Sequence, residues 1–276
     1  MESQSDQPES AKILEGVPDF VPFSAELMAA IRVWETSRPD RLFEDTFAAQ
    51  FAGPLALNLV AEREKKADGV LDLLALRTRF FDDFLLAATA SIQQVVILAA
   101  GLDARAFRLP LPAETQIYEL DQPAVLAKKQ QVLGQTQAQC HRQTISVDFT
   151  QPWVGLLIDQ GYQPDVPSVW IMEGLLMYLT TAEVRELLQT IWQNAAMGSC
   201  CAADLLNVKA LASEDLAAAY WRSGFDDPEG LFTSIGWAVE VLQPQEFGVS
   251  FGRIPYAVPP REVVDVPRSF WVKAKK

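Results

Sequence analysis

Residues Val95 to Pro123, VVILAAGLDARAFRLPLPAETQIYELDQP, decide how this chain is read. Val95 to Leu98 is a short apolar run rich in β-branched residues, the pattern of a strand covered on both faces. Ala99, Ala100 and Gly101 follow as a turn of small residues that a ligand can approach closely. Ile117 to Leu120 is the next strand, and Asp121 at its end lies about twenty residues past Gly101, where nucleotide-binding folds place a carboxylate on the ribose hydroxyls. Only one glycine of the G-x-G-x-x-G pattern is present, so the spacing alone suits a nucleoside site and an ordinary buried βαβ unit equally. Pro110 and Pro112 cannot sit inside a helix, so the helix after the turn must be short, unlike that of a dinucleotide fold.

Upstream, Leu27, Met28, Ile31 and Trp34 stand at helical spacing, with Ser24 as the expected N-cap, and Asp45 to Val60 reads as helix broken near Gly53-Pro54. Leu71 to Ala88 is a strong helix leading into the strand at Val95. Downstream, Pro123 starts a helix that Gly134 ends. A third strand, Thr144 to Val147, ends at Asp148-Phe149. A fourth, Val169 to Met172, ends at Glu173-Gly174. Thr180 and Glu183 form a capping box for the next helix, and a fifth strand runs from Cys200 to about Leu205. The alternation predicts an α/β fold with a mainly parallel sheet and helices on both faces, whose ligands lie outside the carboxyl ends of the strands. Asp121, Asp148 and Glu173 all fall there. Each taken singly also suits a helix N-cap.

Asn207 to Trp237 departs from the alternation and reads as an inserted lid built on a helix, LASEDLAAAYWRSG, with aromatics Tyr220, Trp221, Phe225 and Phe232. Strands at Val239 to Leu242 and Ser269 to Val272, with a short helix from Pro244 to Phe251 between them, complete the chain. The expected organisation is a single domain: a polar tail over 1–15, a helical cap over 16–90, a cofactor-binding core over 91–206, the lid over 207–237 and sheet completion over 238–276.

The chain has 276 residues, 49% of them hydrophobic and 21% charged, and a net charge of −13. Such acidity repels phosphate backbones and anionic lipid, which disfavours nucleic acid as a partner. The longest apolar runs are too interrupted for a membrane span, and the acidic first ten residues do not resemble a signal peptide. Three cysteines, Cys140, Cys200 and Cys201, fit neither a disulfide framework nor zinc spacing, pointing to a cytoplasmic, metal-free protein with the adjacent pair buried. The single histidine, His141, reads as a solvated loop residue, leaving almost no material for a Ser-His-Asp triad.

Taken together, ILAAGLDARAFRL, YELDQPAVLAKK, VDFTQPW and WIMEGLLMYL resemble the leucine carboxyl methyltransferase-like family of S-adenosylmethionine-dependent methyltransferases, in particular its bacterial O-methyltransferase branch. SRPDRLFEDTFA and RTRFFDDFLL resemble that family's helical cap, so the likeness spans roughly Ile31 to Gly252. It implies a class I methyltransferase (Rossmann-like) fold, a seven-stranded sheet with one antiparallel strand near its end, carrying S-adenosyl-L-methionine over Ala99 and Gly101. It further implies that Asp121 holds the ribose hydroxyls, Asp148 and Phe149 flank the adenine, Glu173 and Gly174 line the methionine side, and Arg79, supported by Arg32, pairs with the cofactor's carboxylate. The family usually has glycine where this chain has Ala99. Alanine fits there if φ is negative and costs roughly 1 kcal/mol if φ is positive.

The implied reaction is O-methylation of a carboxylate, or of a hydroxyl, on a small organic acid or secondary metabolite by in-line displacement. A carboxylate is already ionised at neutral pH and needs no general base. A hydroxyl acceptor would need help from Tyr178 or Glu173, and Tyr178 is the candidate for orienting the substrate. Two other readings stay open. A nicotinamide-dependent oxidoreductase shares the half-site but is opposed by the missing glycines and the absence of a Tyr-x-x-x-Lys pair, and a cofactor-dead binding protein is suggested by Ala99 alone. The sequence leaves the oligomeric state undetermined.

Overall fold

The structure, a computed structural model, describes residues 20–213, 217–249, 251–254 and 259–276. Strands β1 (Gln94–Leu98) and β4 (Ser168–Met172) lie side by side at the centre of the sheet, and every residue of both is buried. Their continuous apolar character follows from helices covering both faces. Seven strands pair in the order β3-β2-β1-β4-β5-β7-β6, with β2 (Gln116–Asp121), β3 (His141–Ser146) and β5 (Cys200–Leu206) parallel to the central pair. Only β7 (Ser269–Lys275) runs against both its neighbours, β5 and β6 (Ala238–Leu242). The α/β class and the seven-stranded, mostly parallel sheet with one reversed strand are as expected. Strand order reverses between β1 and β4, so the crevice at their carboxyl ends is the ligand position of such sheets.

Alternation along the strands splits the core in two. Val96, Leu98, Trp170 and Met172 pack on one face with Leu188 and Phe232, while Val95, Ile97, Val169 and Ile171 pack on the other with Phe80, Phe81 and Trp271. The helices before β1 are α1 (Phe20–Ser37), α2 (Ala48–Phe51), α3 (Pro54–Lys66) and α4 (Val70–Thr89). Phe23, Ala30 and Ile31 of α1 join Ala56, Val60 and Leu71 in a third, smaller cluster. This cluster packs α1 against α3 and α4. No described helix is long and apolar enough to cross a membrane.

Helix α5 (Arg105–Arg108) is as short as Pro110 requires, α6 spans Pro123–Leu133 with Gly134 beyond it at φ 55°, and a short α7 (Val154–Asp159) precedes β4. Helix α8 (Thr181–Gln193) carries the capping box in full, with Thr180 Oγ1 accepting from the Glu183 amide and the Glu183 carboxylate accepting from the Thr180 amide at 2.6 Å.

Several expectations need correction. Strand β3 begins at His141, so that histidine is an exposed strand residue rather than a loop residue. Ser24 lies inside α1 and does not start it. The expected helix over LASEDLAAAYWRSG is two 3-10 turns, Val208–Ala212 and Ala218–Tyr220, with residues 214–216 outside those described. Asn207 caps the first turn, accepting from the Ala210 amide at 3.0 Å. The second half of the supposed lid, with α9 (Pro228–Thr233), is core: Phe225, Phe232 and Trp237 are buried with the sheet residues. Helix α10 spans Pro244–Val249, and residues 250 and 255–258 also lie outside those described, as does the 1–15 tail.

Candidate functional site

The turn after β1 is fixed by hydrogen bonds to β2. Ala100 donates its amide to the Leu120 carbonyl at 3.0 Å, and Gly101 donates to Asp121 Oδ2 at 2.6 Å. Asp121 Oδ1 accepts from the Gln122 amide, also at 2.6 Å. Each carboxylate oxygen thus spends one acceptor position on the backbone and keeps another for a ligand. Burial raises the Asp121 pKa, opposed by those two amides. Both Ala99 and Gly101 sit at φ 50°, the left-handed region. For Gly101 this is free of strain, whereas Ala99 occupies the conformation that disfavours a side chain.

At the end of β4 the chain turns through Glu173 and Gly174, the latter at φ 64°. The Arg77 guanidinium lies over this glycine, 3.5 Å from where a Cβ would stand, which is ordinary contact distance, so it is the positive φ rather than crowding that favours glycine at Gly174. Arg77 Nε donates to Glu173 Oε1 at 3.2 Å, its Nη1 to Asp204 Oδ2 at 3.1 Å and its Nη2 to Met28 Sδ at 3.1 Å. Asp204 Oδ1 in turn accepts from the Gly174 amide at 2.6 Å. Burial opposes the charge on Arg77, but Asp204 and Glu173 outweigh it and the pKa lies above the ordinary arginine value. Glu173 Oε2 pairs with Arg105 Nη2 at 2.8 Å, and Arg105 continues to Asp82 at 2.7 Å and to Asp103. A chain of alternating charges therefore ties β5, β4, α4 and the turn after β1 into one unit.

The remaining expected residues fall in different places. Arg79 does not reach this corner: its Nε pairs with Asp83 at 2.7 Å, its Nη1 donates to the Leu42 carbonyl at 2.7 Å, and its guanidinium lies over the Phe251 ring. Arg32 holds Asp45 at 2.8 Å and the Leu102 carbonyl at 2.7 Å, so it braces the turn after β1 from helix α1. Asp148 is exposed and accepts from the Thr150 amide at 2.9 Å and hydroxyl at 2.7 Å, which holds its pKa below the ordinary value. Half-buried Phe149 packs edge-on against Trp153.

Tyr178 follows β4 in a 3-10 turn, half-buried, with Arg77 and Asp204 in its electrostatic surroundings and Trp221 as hydrogen-bond partner. Burial pushes its hydroxyl pKa up. Phe20 stands 6.2 Å from the Tyr178 ring and stacks on Tyr220 at 3.7 Å. The structure thus gathers Ala99, Gly101, Asp121, Glu173, Gly174 and Tyr178 along one edge and adds Arg77, Arg105 and Asp204. Helical phase separates the two arginines of RTR, since Arg77 shares its face with Phe81 and Phe84, and Arg79 with Asp83. An acid inside the apolar strand CCAADLL marks Asp204.

The leucine carboxyl methyltransferase family model matches residues 25–192, more than half of the chain. A protein of Parafrankia sp., provisionally named an S-adenosyl-L-methionine-dependent methyltransferase, is 45% identical over 67% of this chain and 63% of its own. One of Streptomyces avermitilis with the same provisional name is 36% identical over 88% of this chain and 92% of its own. Among solved structures, one from Thermobifida fusca, provisionally called a methyltransferase, aligns with a TM-score of 0.62 over 95% of this chain and 98% of its own at 14% identity, which speaks for the fold alone. The sheet order, the acid at the end of β2 and the matched span agree, and this chain belongs to the leucine carboxyl methyltransferase family.

Proposed function

We propose that the crevice bounded by Ala99–Gly101, Asp121 and the Arg77–Glu173–Gly174 corner is the S-adenosyl-L-methionine site of an O-methyltransferase acting on a carboxylate of a small organic acid. Membership of the family makes the chain an S-adenosylmethionine-dependent methyltransferase. The observation that carries the site is Asp121, a buried carboxylate held by the Gly101 amide on the ligand-bearing edge of the sheet. The residues fit the group: Asp121 keeps free acceptor positions for ribose hydroxyls, and Gly101 lets the ligand approach the backbone. Arg77 offers a guanidinium for a carboxylate, in the role the sequence suggested for Arg79. Asp148 and Phe149 remain the proposed neighbours of the adenine.

When bound, the cofactor supplies an electrophilic methyl on a sulfonium. The protein's part is alignment of the acceptor and exclusion of water. The acceptor class follows from the two candidate helpers. Tyr178, with its pKa raised by burial, stays protonated at neutral pH and donates a hydrogen bond rather than taking a proton. Glu173 is engaged by Arg77 and Arg105, which makes it a positioning residue. A carboxylate acceptor requires no base and suits such a site better than a hydroxyl.

Calorimetric titration with S-adenosylmethionine, S-adenosylhomocysteine and NAD tests the reading. The two sulfur ligands should bind and NAD should not. Asp121→Ala should weaken binding by about 1–3 kcal/mol through loss of charged hydrogen bonds. Tight binding of NAD alone, or an unchanged affinity in that variant, would refute the assignment.

A further inference from the structure

Resting on the proposed function, we infer that Asp204 is a positioning residue: it presets the Arg77 guanidinium for the cofactor's amino-acid carboxylate, and so gives the site its preference for ligands that carry one. Strand β5 runs parallel to β4 with Ala203 beside Met172, which sets Asp204 level with Glu173 at the carboxyl edge. Side chains alternate along a strand, so Asp204 shares the face of Cys200 and Ala202, which are buried in one cluster with Phe80 and Phe81 of α4. Arg77 stands one helical turn before Phe81, and this brings its guanidinium onto Asp204.

The two oxygens of Asp204 are divided between the two halves of the corner. Oδ1 accepts from the Gly174 amide at 2.6 Å and Oδ2 from Arg77 Nη1 at 3.1 Å, so turn backbone and cation are registered on one carboxylate. The Asp204 side chain is 3% exposed and that of Arg77 13%, so Arg77 can meet a ligand and Asp204 acts through Arg77. Nε of Arg77 is taken by Glu173, and Nη2 meets the Met28 thioether, a weak acceptor. The end of the guanidinium formed by Nη1 and Nη2 therefore keeps N–H donors for a carboxylate, which it matches in shape. A buried ion pair stabilises a fold no better than apolar side chains filling the same space. A cation ordered in advance, by contrast, binds its anion without first losing side-chain freedom. Binding rather than packing thus accounts for the acid inside the apolar run CCAADLL.

The test is calorimetric titration of the unaltered protein, Asp204→Asn and Asp204→Ser with S-adenosylhomocysteine and with methylthioadenosine, which lacks the amino-acid end. Asp204→Asn keeps an acceptor for the Gly174 amide but loses the charge that holds Arg77, and Asp204→Ser removes the charge with a smaller side chain. In both variants the affinity for S-adenosylhomocysteine should fall roughly ten-fold while that for methylthioadenosine stays within about two-fold. An equal loss for the two ligands, which a merely structural role would give, would overturn the inference. So would an unchanged affinity for S-adenosylhomocysteine, or failure of both variants to fold, as judged by circular dichroism. These outcomes leave the cofactor site standing. If the unaltered protein binds neither ligand, or shows no preference for S-adenosylhomocysteine over methylthioadenosine, the role proposed for Arg77 falls and this inference with it.

Discussion

Ala99 is an alanine at φ 50°, in a turn whose other left-handed residue is Gly101. Its strain is local and removable. Ala99→Gly should stabilise the protein by about 1 kcal/mol, less whatever the methyl contributes to packing, and raise Tm by roughly 2–4 °C in a thermal melt. A fall in Tm would show that the methyl packs better than the backbone suffers. The two arginines of RTR make a second contrast at this scale. Arg77→Met leaves buried Asp204 without its cation and should cost about 3 kcal/mol or more in urea unfolding. Arg79→Met loses the partly exposed pair with Asp83, the hydrogen bond to the Leu42 carbonyl and the contact with the Phe251 ring, and should cost about 1–2 kcal/mol, less than Arg77→Met. Gly101 and Asp121 were legible because a small-residue turn and a strand-end acid are local patterns. Arg77 was not, because choosing between arginines two apart on a nearly all-apolar helix requires knowing which face meets β4 and β5.

Among the elements, helix α8 shows local coding at its most complete. Thr180 and Glu183 satisfy each other's amides, and Thr180→Ala should lower stability by about 1 kcal/mol in chemical denaturation, with the helix otherwise retained. Strand β3 shows the opposite. Its first half, His141 to Gln143, carries no apolar alternation because β3 is the edge of the sheet, so the hydrophobic pattern starts late. The segment after β5 misleads for a related reason. Its alanines and leucines have helical propensity, but Asn207, pinned also by the Arg268 amide at 2.8 Å, forces a tight 3-10 turn instead. Gly224 then passes so close to the Asn207 carbonyl that a Cβ would stand 2.6 Å from it. Tertiary contact overrides propensity here.

Over the whole molecule the charge network gives stability a pH dependence with two limbs. Burial raises the pKa values of Glu35, Asp121 and Asp204 above those in the unfolded chain. The folded protein therefore takes up protons first as pH falls, and these groups favour folding below their unfolded values and lose that contribution as pH rises through the folded ones. Asp103 behaves oppositely. Although burial alone would raise its pKa, Arg105 and Lys129 hold it well below the ordinary value, so its contribution is present above about pH 4 and lost at lower pH. With a net charge of −13 relieved on mild acidification as well, urea unfolding should give greater stability near pH 5 than at pH 7, and a decline below about pH 4. A monotonic fall from pH 7 downward would refute this account. By itself the sequence determined the order of the strands, the turn at Gly101, the acid at Asp121 and the family, because these rest on periodicity, turn chemistry and short motifs along the chain. Only the tertiary structure decided that Arg77 rather than Arg79 meets Glu173 and Asp204, that Phe225 and Phe232 are core, and that Phe20 meets Tyr220. Those facts depend on which faces of distant segments are pressed together, and the chain folds them by burying surface that no single segment can bury alone.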